Sequence, residues 1–281
     1  MKFLSFRAGG AARYGLVDGN DVVDLTVRLK HPDLKSLIEA DAAAEAASAA
    51  KGASADFTLD QITFDPVIPN PGKIICVGLN YEGHRKETGM TQHKFPNFFA
   101  RWADTQVGHL QNIVKPLDSD QLDWEGEMAV IVGKGGRYIP QAQAMDHIFG
   151  YSCYNEASLR DYQKHSSQFT PGKNFPGTGA FGPHMVMRDA MGDITGKKIQ
   201  TRLNGENVQS ATLDMMIFPP TRLVEYISSF TPLSPGDVIV SGTPEGVGWV
   251  RKPPLWMKEG DVVEVEIDNI GIVRNSIINE V

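Results

Sequence analysis

The sequence predicts an α+β protein that consists mainly of β-strands. Short apolar runs, which either end at glycine or alternate with polar residues, predict the strands of a core. These runs span 73–77, 128–132, 198–203, 208–212, 238–241, 262–267 and 272–277. Few stretches have a helical period, and helices do not alternate regularly with strands, which argues against a doubly wound or TIM-like fold. A β-roll or β-sandwich core with short helices, at 80–87 and 222–229, fits best.

The pair Asn204-Gly205 lies between two of these strands and is the strongest hairpin signal in the chain. Glu206 follows it and leaves open whether the turn is wider than two residues.

A small N-terminal unit is predicted over residues 1–65. Its short strands at 2–6, 13–17 and 21–25 precede an Ala-rich helix over 32–50. Three prolines in six residues follow within 65–72, and such a segment cannot join a helix or a central strand. We therefore place a domain boundary there, with a catalytic domain over 71–281.

Composition narrows the class of protein and its partners. The 281 residues are 41% apolar, and no window approaches the ~18 uninterrupted apolar residues of a membrane span. The net charge is −7 without a run of Lys and Arg, so we expect neither nucleic acid nor a membrane as partner. Cys76 and Cys153 have no metal-ligand spacing, and the N-terminus lacks an apolar signal region. These features predict a cytoplasmic location.

Two carboxylates precede an apolar strand in the segment 123–132. Because side chains alternate along a strand, Glu125 and Glu127 point to one side, with Cα atoms about 6–7 Å apart. Carboxylates at the edge of a core repel each other and resist burial, and a divalent cation with a preference for oxygen ligands resolves both problems. The alternative is that both are solvated at a strand end or paired with Lys134 or Arg137.

Asn155-Glu156 follows another strand-like run and offers a third carboxylate. The alternative is a helix N-terminus, with Asn155 as the cap and Glu156 in the first turn.

His84 and Glu87 are three residues apart and share one face if this segment is helical. A carboxylate beside an imidazole orients it and keeps it basic enough to activate water. The alternative is a surface helix with salt bridges, in which Arg85 and Lys86 take part.

Two glycine-rich segments contain further candidate site residues. The loop 171–179 carries Lys173, which could meet an anionic oxygen, although its spacing is not that of a P-loop. The glycines of 241–248 allow a close approach to a ligand, and Thr243 can donate a hydrogen bond to a carboxylate. Each segment is equally compatible with an ordinary turn.

The order of these motifs resembles the fumarylacetoacetate hydrolase family. The resemblance covers roughly residues 71–281 and rests on five blocks in the family's order. The residues that carry it are Asn80-Tyr81 with His84 and Glu87, Glu125-Gly126-Glu127, Asn155-Glu156 with Arg160-Asp161 and Gln163, Lys173, and Gly242-Thr243-Pro244 with Gly246-Val247-Gly248.

The resemblance implies a mixed β-roll that is often dimeric, and roles for individual residues. Glu125, Glu127 and Glu156 are expected to bind Mg²⁺ or Mn²⁺, with Ca²⁺ as a substitute. The family usually has Asp at the third position, so the longer Glu156 implies a shifted or water-mediated ligand shell. His84 and Glu87 would activate water on a lid, with Lys173 as the third catalytic residue. The expected substrate contacts come from Tyr81, Arg101, Arg160, Gln163, Lys173 and Thr243.

Three classes of function follow from the resemblance. The first is hydrolysis of the C–C bond of an acylpyruvate or 2,4-diketo acid, which yields pyruvate and a carboxylic acid. The second is oxaloacetate decarboxylation, isomerisation or hydration, because the same enolate arises when CO₂ leaves from oxaloacetate. The third is a protein that binds a 2-oxo acid without catalysis, which the set of His84, Glu87 and Lys173 argues against.

The identity of the substrate is not determined by these motifs. Gln92, His93, Arg101 and Trp102 lie between the dyad and the metal motif. They either contact the acyl tail, where Arg101 could pair with a second carboxylate, or face solvent or a partner subunit. Residue 245 is often small in the family, and Glu245 alters the local substrate contacts.

Overall fold

The computed structural model describes residues 1–91 and 94–281. The strands, β1 to β19 in chain order, are Lys2–Ala8, Ala11–Asp18, Asp21–Asp24, Phe57–Thr58, Thr63–Phe64, Ile74–Gly78, Asn97–Arg101, Gln106–Val107, Ile113–Lys115, Leu122–Asp123, Gly126–Val132, Ile148–Glu156, Ser158–Leu159, Gly179–Met187, Lys198–Leu203, Glu206–Thr212, Val238–Val240, Val262–Ile267 and Gly271–Asn279. The α-helices, α1 to α7, are Leu34–Glu39, Ala43–Ala50, Glu82–Thr88, Arg160–Gln163, Thr170–Lys173, Arg188–Met191 and Pro220–Phe230.

The strands form a large mixed sheet and a smaller one, and within the described residues neither closes into a barrel. The large sheet runs β4-β3-β2-β1-β14-β12-β11-β17-β6-β7, with β5 on β1 and β8 on β14. The second sheet runs β16-β15-β18-β19-β9, and β10 pairs with β13. The predicted α+β class dominated by strands is confirmed. None of the helices described is long and apolar enough to cross a membrane.

The centre of the large sheet positions the acidic motif. Strands β11 and β12 are buried along their whole length, as expected of a strand with an almost continuous apolar run. They pair antiparallel, with Gly126 opposite Asn155 and Glu127 opposite Tyr154. This register brings the end of β12, where Glu156 lies, beside the beginning of β11.

The N-terminal strands continue the large sheet. Strand β1 pairs with β14, with Lys2 opposite Val186 and Phe3 opposite Met185. The buried side chain of Phe3 belongs to the same apolar cluster as Ile74 and Ala129. The two predicted domains therefore share a sheet and part of a core, and the division at residues 65–72 stays a prediction.

The prediction of one continuous helix over 32–50 is wrong. The structure has two helices, α1 and α2, with a break at residues 40–42. Asp41 has a φ of +50°, which an α-helix does not tolerate. The side chain of Asp33 accepts a hydrogen bond from Ser36 N and so caps α1.

The hairpin at Asn204-Gly205 has a two-residue turn. Leu203 pairs with Glu206, so Glu206 belongs to β16 and does not widen the turn. Asn204 and Gly205 both have positive φ, 52° and 82°, as a type I′ turn requires.

Two histidines near the end of β18 are held in their neutral form. Burial lowers the pKa of both His109 and His184 to about 4, and the charges of Arg274 and Lys2, respectively, add to the effect. The Nδ1 of His109 accepts a hydrogen bond from Arg274 N at 3.1 Å, an interaction that a protonated imidazole cannot make.

We expect acid to destabilise the fold through these histidines. An unfolded chain takes up protons near pH 6.5, so the stability that the neutral histidines contribute is complete above pH 6.5 and is lost as the pH falls towards 4. His109→Gln keeps an acceptor for Arg274 N and removes one titrating group. Its loss of unfolding free energy between pH 7 and pH 5, measured by urea denaturation, should be roughly 1–2 kcal/mol smaller than in the unchanged protein. An equal loss in both proteins would contradict this assignment.

Candidate active site

Three buried glutamates converge where β11 begins and β12 ends. Glu125 is 5% exposed, Glu127 1% and Glu156 0%. One carboxylate oxygen from each lies within 4.8 Å of the others, in the arrangement that a metal ion needs. Glu156 ends a strand and is not in the first turn of a helix, so the geometry favours the metal-ligand interpretation over the helix-cap alternative.

Two cations neutralise part of this acidic group. Lys173 Nζ lies 2.7 Å from Glu125 Oε2 and 3.3 Å from Glu156 Oε2. Arg160 Nη1 lies 2.5 Å from Glu125 Oε1. Arg137, which the sequence left as an alternative partner, donates instead to the carbonyl of Ser228. Glu125 is therefore neither solvated nor paired with Arg137.

The surroundings separate the pKa values of the two neighbouring glutamates. Burial raises the pKa of Glu127 well above its usual range, and the charges of Glu156 and Glu125 raise it further. Burial opposes ionisation of Glu125 as well, but Lys173 and Arg160 hold the pKa of that carboxyl below its usual range. The surroundings therefore favour the protonated form of Glu127 and the ionised form of Glu125.

The donor set fits a hard divalent cation. Three carboxylates suit Mg²⁺ and Mn²⁺, which prefer oxygen ligands. The Oε1 of Glu156 is buried without a hydrogen-bond partner among the described residues. An orphaned buried carboxylate oxygen is costly, and a metal ion would satisfy it.

The predicted His84–Glu87 pair forms a buried dyad. Both residues lie on α3, and His84 is only 6% exposed, which excludes a solvated surface helix at this residue. His84 Nδ1 lies 2.7 Å from Glu87 Oε1. Because a carboxylate only accepts, Nδ1 carries the proton and Nε2 is left free as a base. His84 lies close enough to Glu125 that a protonated imidazole there lowers the pKa of that carboxyl.

The loop from Gly242 to Gly248 connects the dyad with the acidic group. Gly242 N donates to Glu127 Oε2 at 2.5 Å, and Gly246 N donates to Glu87 Oε2 at 2.9 Å. Gly246 has a φ of +105°, and a Cβ there would lie 2.1 Å from the carbonyl oxygen of Val208. This glycine is therefore required by the backbone that fixes Glu87.

Sequence reasoning did not identify Asp123 as part of the site. Its buried carboxylate accepts hydrogen bonds from Gly248 N at 2.7 Å, Trp249 N at 3.1 Å and Arg160 Nε at 2.8 Å. Burial raises the pKa of Asp123, while Arg160 opposes this rise. Asp123 thus holds the glycine-rich loop against Arg160. Its place two residues before Glu125 was the only available signal.

A small cavity of about 30 Å³ connects the dyad and the acidic group. His84 and Lys173 line it, together with Glu125 and Glu127. The expected substrate residues Arg160, Gln163 and Thr243 line it as well. The hydroxyl of Thr243 donates to Gly126 O at 3.0 Å, so part of its hydrogen-bonding capacity is already used by the fold.

Other expected substrate contacts lie elsewhere. Tyr81 and Arg101 are fully buried and do not line this cavity. Arg101 lies behind Glu156, with Nη1 4.0 Å from Glu156 Oε1. The guanidinium of Arg101 thus faces a protein carboxylate, and its expected contact with a second substrate carboxylate stays a prediction. Trp102 is 56% exposed. Gln92 and His93 lie outside the described residues.

Glu245 packs against helix α3. A Cβ on Gly83 would lie 2.1 Å from Glu245 Oε2, so the glycine makes room for this carboxylate. The larger residue at this position therefore contacts α3, beside the dyad.

Residues 73–278, which contain the dyad, the glutamates and the glycine-rich loop, match the family model described as fumarylacetoacetate (FAA) hydrolase C-terminal. The chain belongs to this enzyme family. The mitochondrial oxaloacetate tautomerase FAHD2A of Bos taurus is 39% identical over 220 residues, which cover 78% of this chain and 70% of that protein.

Two solved structures resemble the whole chain. The fumarylacetoacetate hydrolase of Exiguobacterium antarcticum is 33% identical with a TM-score of 0.85, and the match covers 100% of both chains. The maleylpyruvate hydrolase of Sphingobium sp. SYK-6, in complex with manganese(II) and pyruvate, is 25% identical with a TM-score of 0.84, again over 100% of both chains.

We expect Arg101 to be important for stability. Arg101→Met leaves Glu156 without one of its two cationic neighbours and removes the hydrogen bond to Ala157 O. Breaking a buried ion pair is strongly destabilising, so the free energy of unfolding in the presence of a chelator should fall by about 3 kcal/mol. Lys86→Met is the control, because its exposed pair with Glu82 should contribute less than about 1 kcal/mol. Similar losses in both variants, measured by urea denaturation, would contradict this.

Proposed function

We propose that this protein is a divalent-metal-dependent enzyme that forms the enolate of a small 2-oxo acid. The reaction we favour is keto–enol tautomerisation of an acid such as oxaloacetate. The observation that carries this proposal is the convergence of His84, Lys173, Glu125 and Glu127 at one cavity, with Glu87 paired to His84 and Glu156 beside the other two glutamates. The name of the Bos taurus relative, an oxaloacetate tautomerase, supports the same chemistry.

Glu125, Glu127 and Glu156 would hold the metal ion, with Mg²⁺ or Mn²⁺ as the ions that suit three carboxylates. When bound, the ion supplies Lewis-acid stabilisation of negative charge on the substrate's carbonyl oxygen. The manganese and pyruvate bound to the solved maleylpyruvate hydrolase support this assignment.

His84 is the base that would move the proton. Its Nε2 is free to take a proton from the carbon next to the 2-oxo group, since Nδ1 donates to Glu87. Glu87 stabilises the imidazolium that forms, and Gly246 N keeps the carboxylate oriented. The proton then returns to the enolate at carbon or at oxygen, which interconverts the keto and enol forms.

Lys173 would stabilise the negative charge that develops on the enolate. An ammonium has three donors, and Lys173 uses two of them on Glu125 and Glu156. The third is available for a substrate oxygen within the buried end of the cavity. Preorganised donors of this kind act strongly where water is excluded.

Hydrolysis of an acylpyruvate is the second candidate, and the dyad favours it. The same His84 Nε2 could take a proton from a water molecule that attacks the distal carbonyl, and the C–C bond would then break to release the pyruvate enolate. Oxaloacetate decarboxylation needs no water and passes through the same enolate. The homodimer expected from the resemblance also stays a prediction.

Metal dependence is tested first with Glu127→Gln. A neutral amide is a poor ligand for a divalent ion, so we expect loss of Mg²⁺ and Mn²⁺ binding in calorimetry together with at least an approximately 100-fold loss of turnover. Glu206→Gln, an exposed residue at the hairpin, is the control and should behave like the unchanged protein. Full activity in excess chelator would rule out the metal-dependent mechanism.

His84→Ala tests the base and separates the reactions. A general base typically contributes about 10²–10⁴-fold, so tautomerisation and acylpyruvate hydrolysis should each fall at least ~100-fold, while metal affinity changes little. Decarboxylation of oxaloacetate should fall much less, since it requires no proton abstraction from carbon or water. The control is Lys86→Ala, an exposed residue on the same helix.

The panel for both variants consists of oxaloacetate, with tautomerisation measured by loss of enol absorbance and decarboxylation by release of pyruvate, and of acylpyruvates, with hydrolysis measured by release of pyruvate. Equal losses in all three reactions would remove His84 from the role of base. Absence of turnover with every substrate would favour the binding-protein alternative.

A further inference from the structure

The cavity has a charged inner end and an apolar outer end. Glu125, Glu127 and Lys173 are each at most 5% exposed. Phe169 and Trp249 line the same cavity but are partly exposed, so they lie towards its mouth. A ligand bound to the inner group therefore extends past an aromatic wall as it approaches solvent.

The cations of the inner end are already paired with protein carboxylates. Lys173 contacts Glu125 and Glu156, and Arg160 contacts Asp123 and Glu125. Arg160 Nη2 has no hydrogen-bond partner among the residues that the structure describes, and it is itself buried and so belongs to the inner end. A second negative group on the substrate, placed further out, needs a different positive charge.

Lys164 carries a positive charge beside Trp249, which lies towards the mouth, although Lys164 itself does not line the cavity. Its Nζ lies 4.3 Å from the ring centroid of Trp249, in a cation–π contact that restrains an otherwise mobile side chain. Lys164 is exposed and directly follows Gln163, which lines the cavity. Among the residues that the structure describes, no carboxylate forms an ion pair with it.

The cations of helix α3 differ from Lys164, because each of them forms an ion pair with a carboxylate. Arg85 Nη2 lies 2.7 Å from Glu82 Oε1, and Lys86 Nζ lies 3.5 Å from the same oxygen. Each of them therefore contacts a carboxylate of its own helix, although Glu82 offers one negative charge to the two.

We propose that Lys164, held on the face of Trp249, binds the distal carboxylate of a 2-oxo dicarboxylic acid. The assignment rests on the proposed function, because it takes the 2-oxo end to be bound at the inner group. It adds a specificity determinant: the site distinguishes dicarboxylic from monocarboxylic 2-oxo acids by one rim charge. Lys164 touches the substrate's distal carboxylate and takes no part in the proton transfer.

The test compares two ligands that differ only in the distal group. 2-Oxoglutarate and 2-oxopentanoate have the same chain length, with a carboxylate in the first where the second has a methyl group. Their affinities for the Mg²⁺-loaded protein are measured by calorimetry for the unchanged protein and for Lys164→Gln, Lys164→Arg and Lys51→Gln. Lys51 is an exposed residue after α2, and its replacement removes the same charge elsewhere.

We expect the preference for the dicarboxylate to fall about fivefold in Lys164→Gln, which is the size of an exposed charge interaction. Lys164→Arg should restore the preference, and Lys51→Gln should leave it unchanged. The preference should also shrink in 1 M salt in the unchanged protein, because exposed charges are screened.

Two results would overturn the assignment. One is an equal effect of Lys164→Gln on both ligands, or no effect on either. The other is that the unchanged protein binds neither ligand. Because binding is measured directly, a failure here is separate from a failure of the turnover assays, which test the proposed function itself.

Discussion

Three glycine amides of one loop bind three carboxylates, and the geometry of the site depends on these contacts. Gly242 N holds Glu127, Gly246 N holds Glu87, and Gly248 N holds Asp123. The acidic group belongs to the large sheet, whereas the dyad belongs to a separate short helix. Because one loop donates to both, the dyad and the acidic group keep a fixed distance across the cavity. A side chain at Gly246 or Gly248 would collide with a backbone carbonyl at about 2 Å, so the loop has little freedom to change.

The burial of four carboxylates determines the electrostatics of the site. Asp123, Glu125, Glu127 and Glu156 are all nearly inaccessible to solvent, and isolated buried carboxylates are very costly. The protein offsets this cost with Arg160, Lys173 and Arg101. The same low-polarity surroundings strengthen every charge interaction at the site. The acidic group is thus built from carboxylates that would destabilise the fold if any one lost its partner.

Much of the site could be predicted because it depends on local spacing. His84 and Glu87 meet because residues three apart share a helix face, and Glu125 and Glu127 approach each other because strand side chains alternate. Arg101 and Asp123 could not be predicted in the same way. Their partners lie 55 and 125 residues away, and only the pairing of distant strands and loops brings them together.

By itself, the sequence determined the α+β class, the hairpin at Asn204-Gly205 and the family, because strand periodicity, turn chemistry and motif order are local properties. The tertiary structure decided which charges remain available to a substrate. A cationic residue has the same local pattern whether it faces water or a buried carboxylate. Arg101 lies behind Glu156, whereas Lys164 lies on the ring of Trp249. This difference arises from contacts between segments that are far apart in the chain.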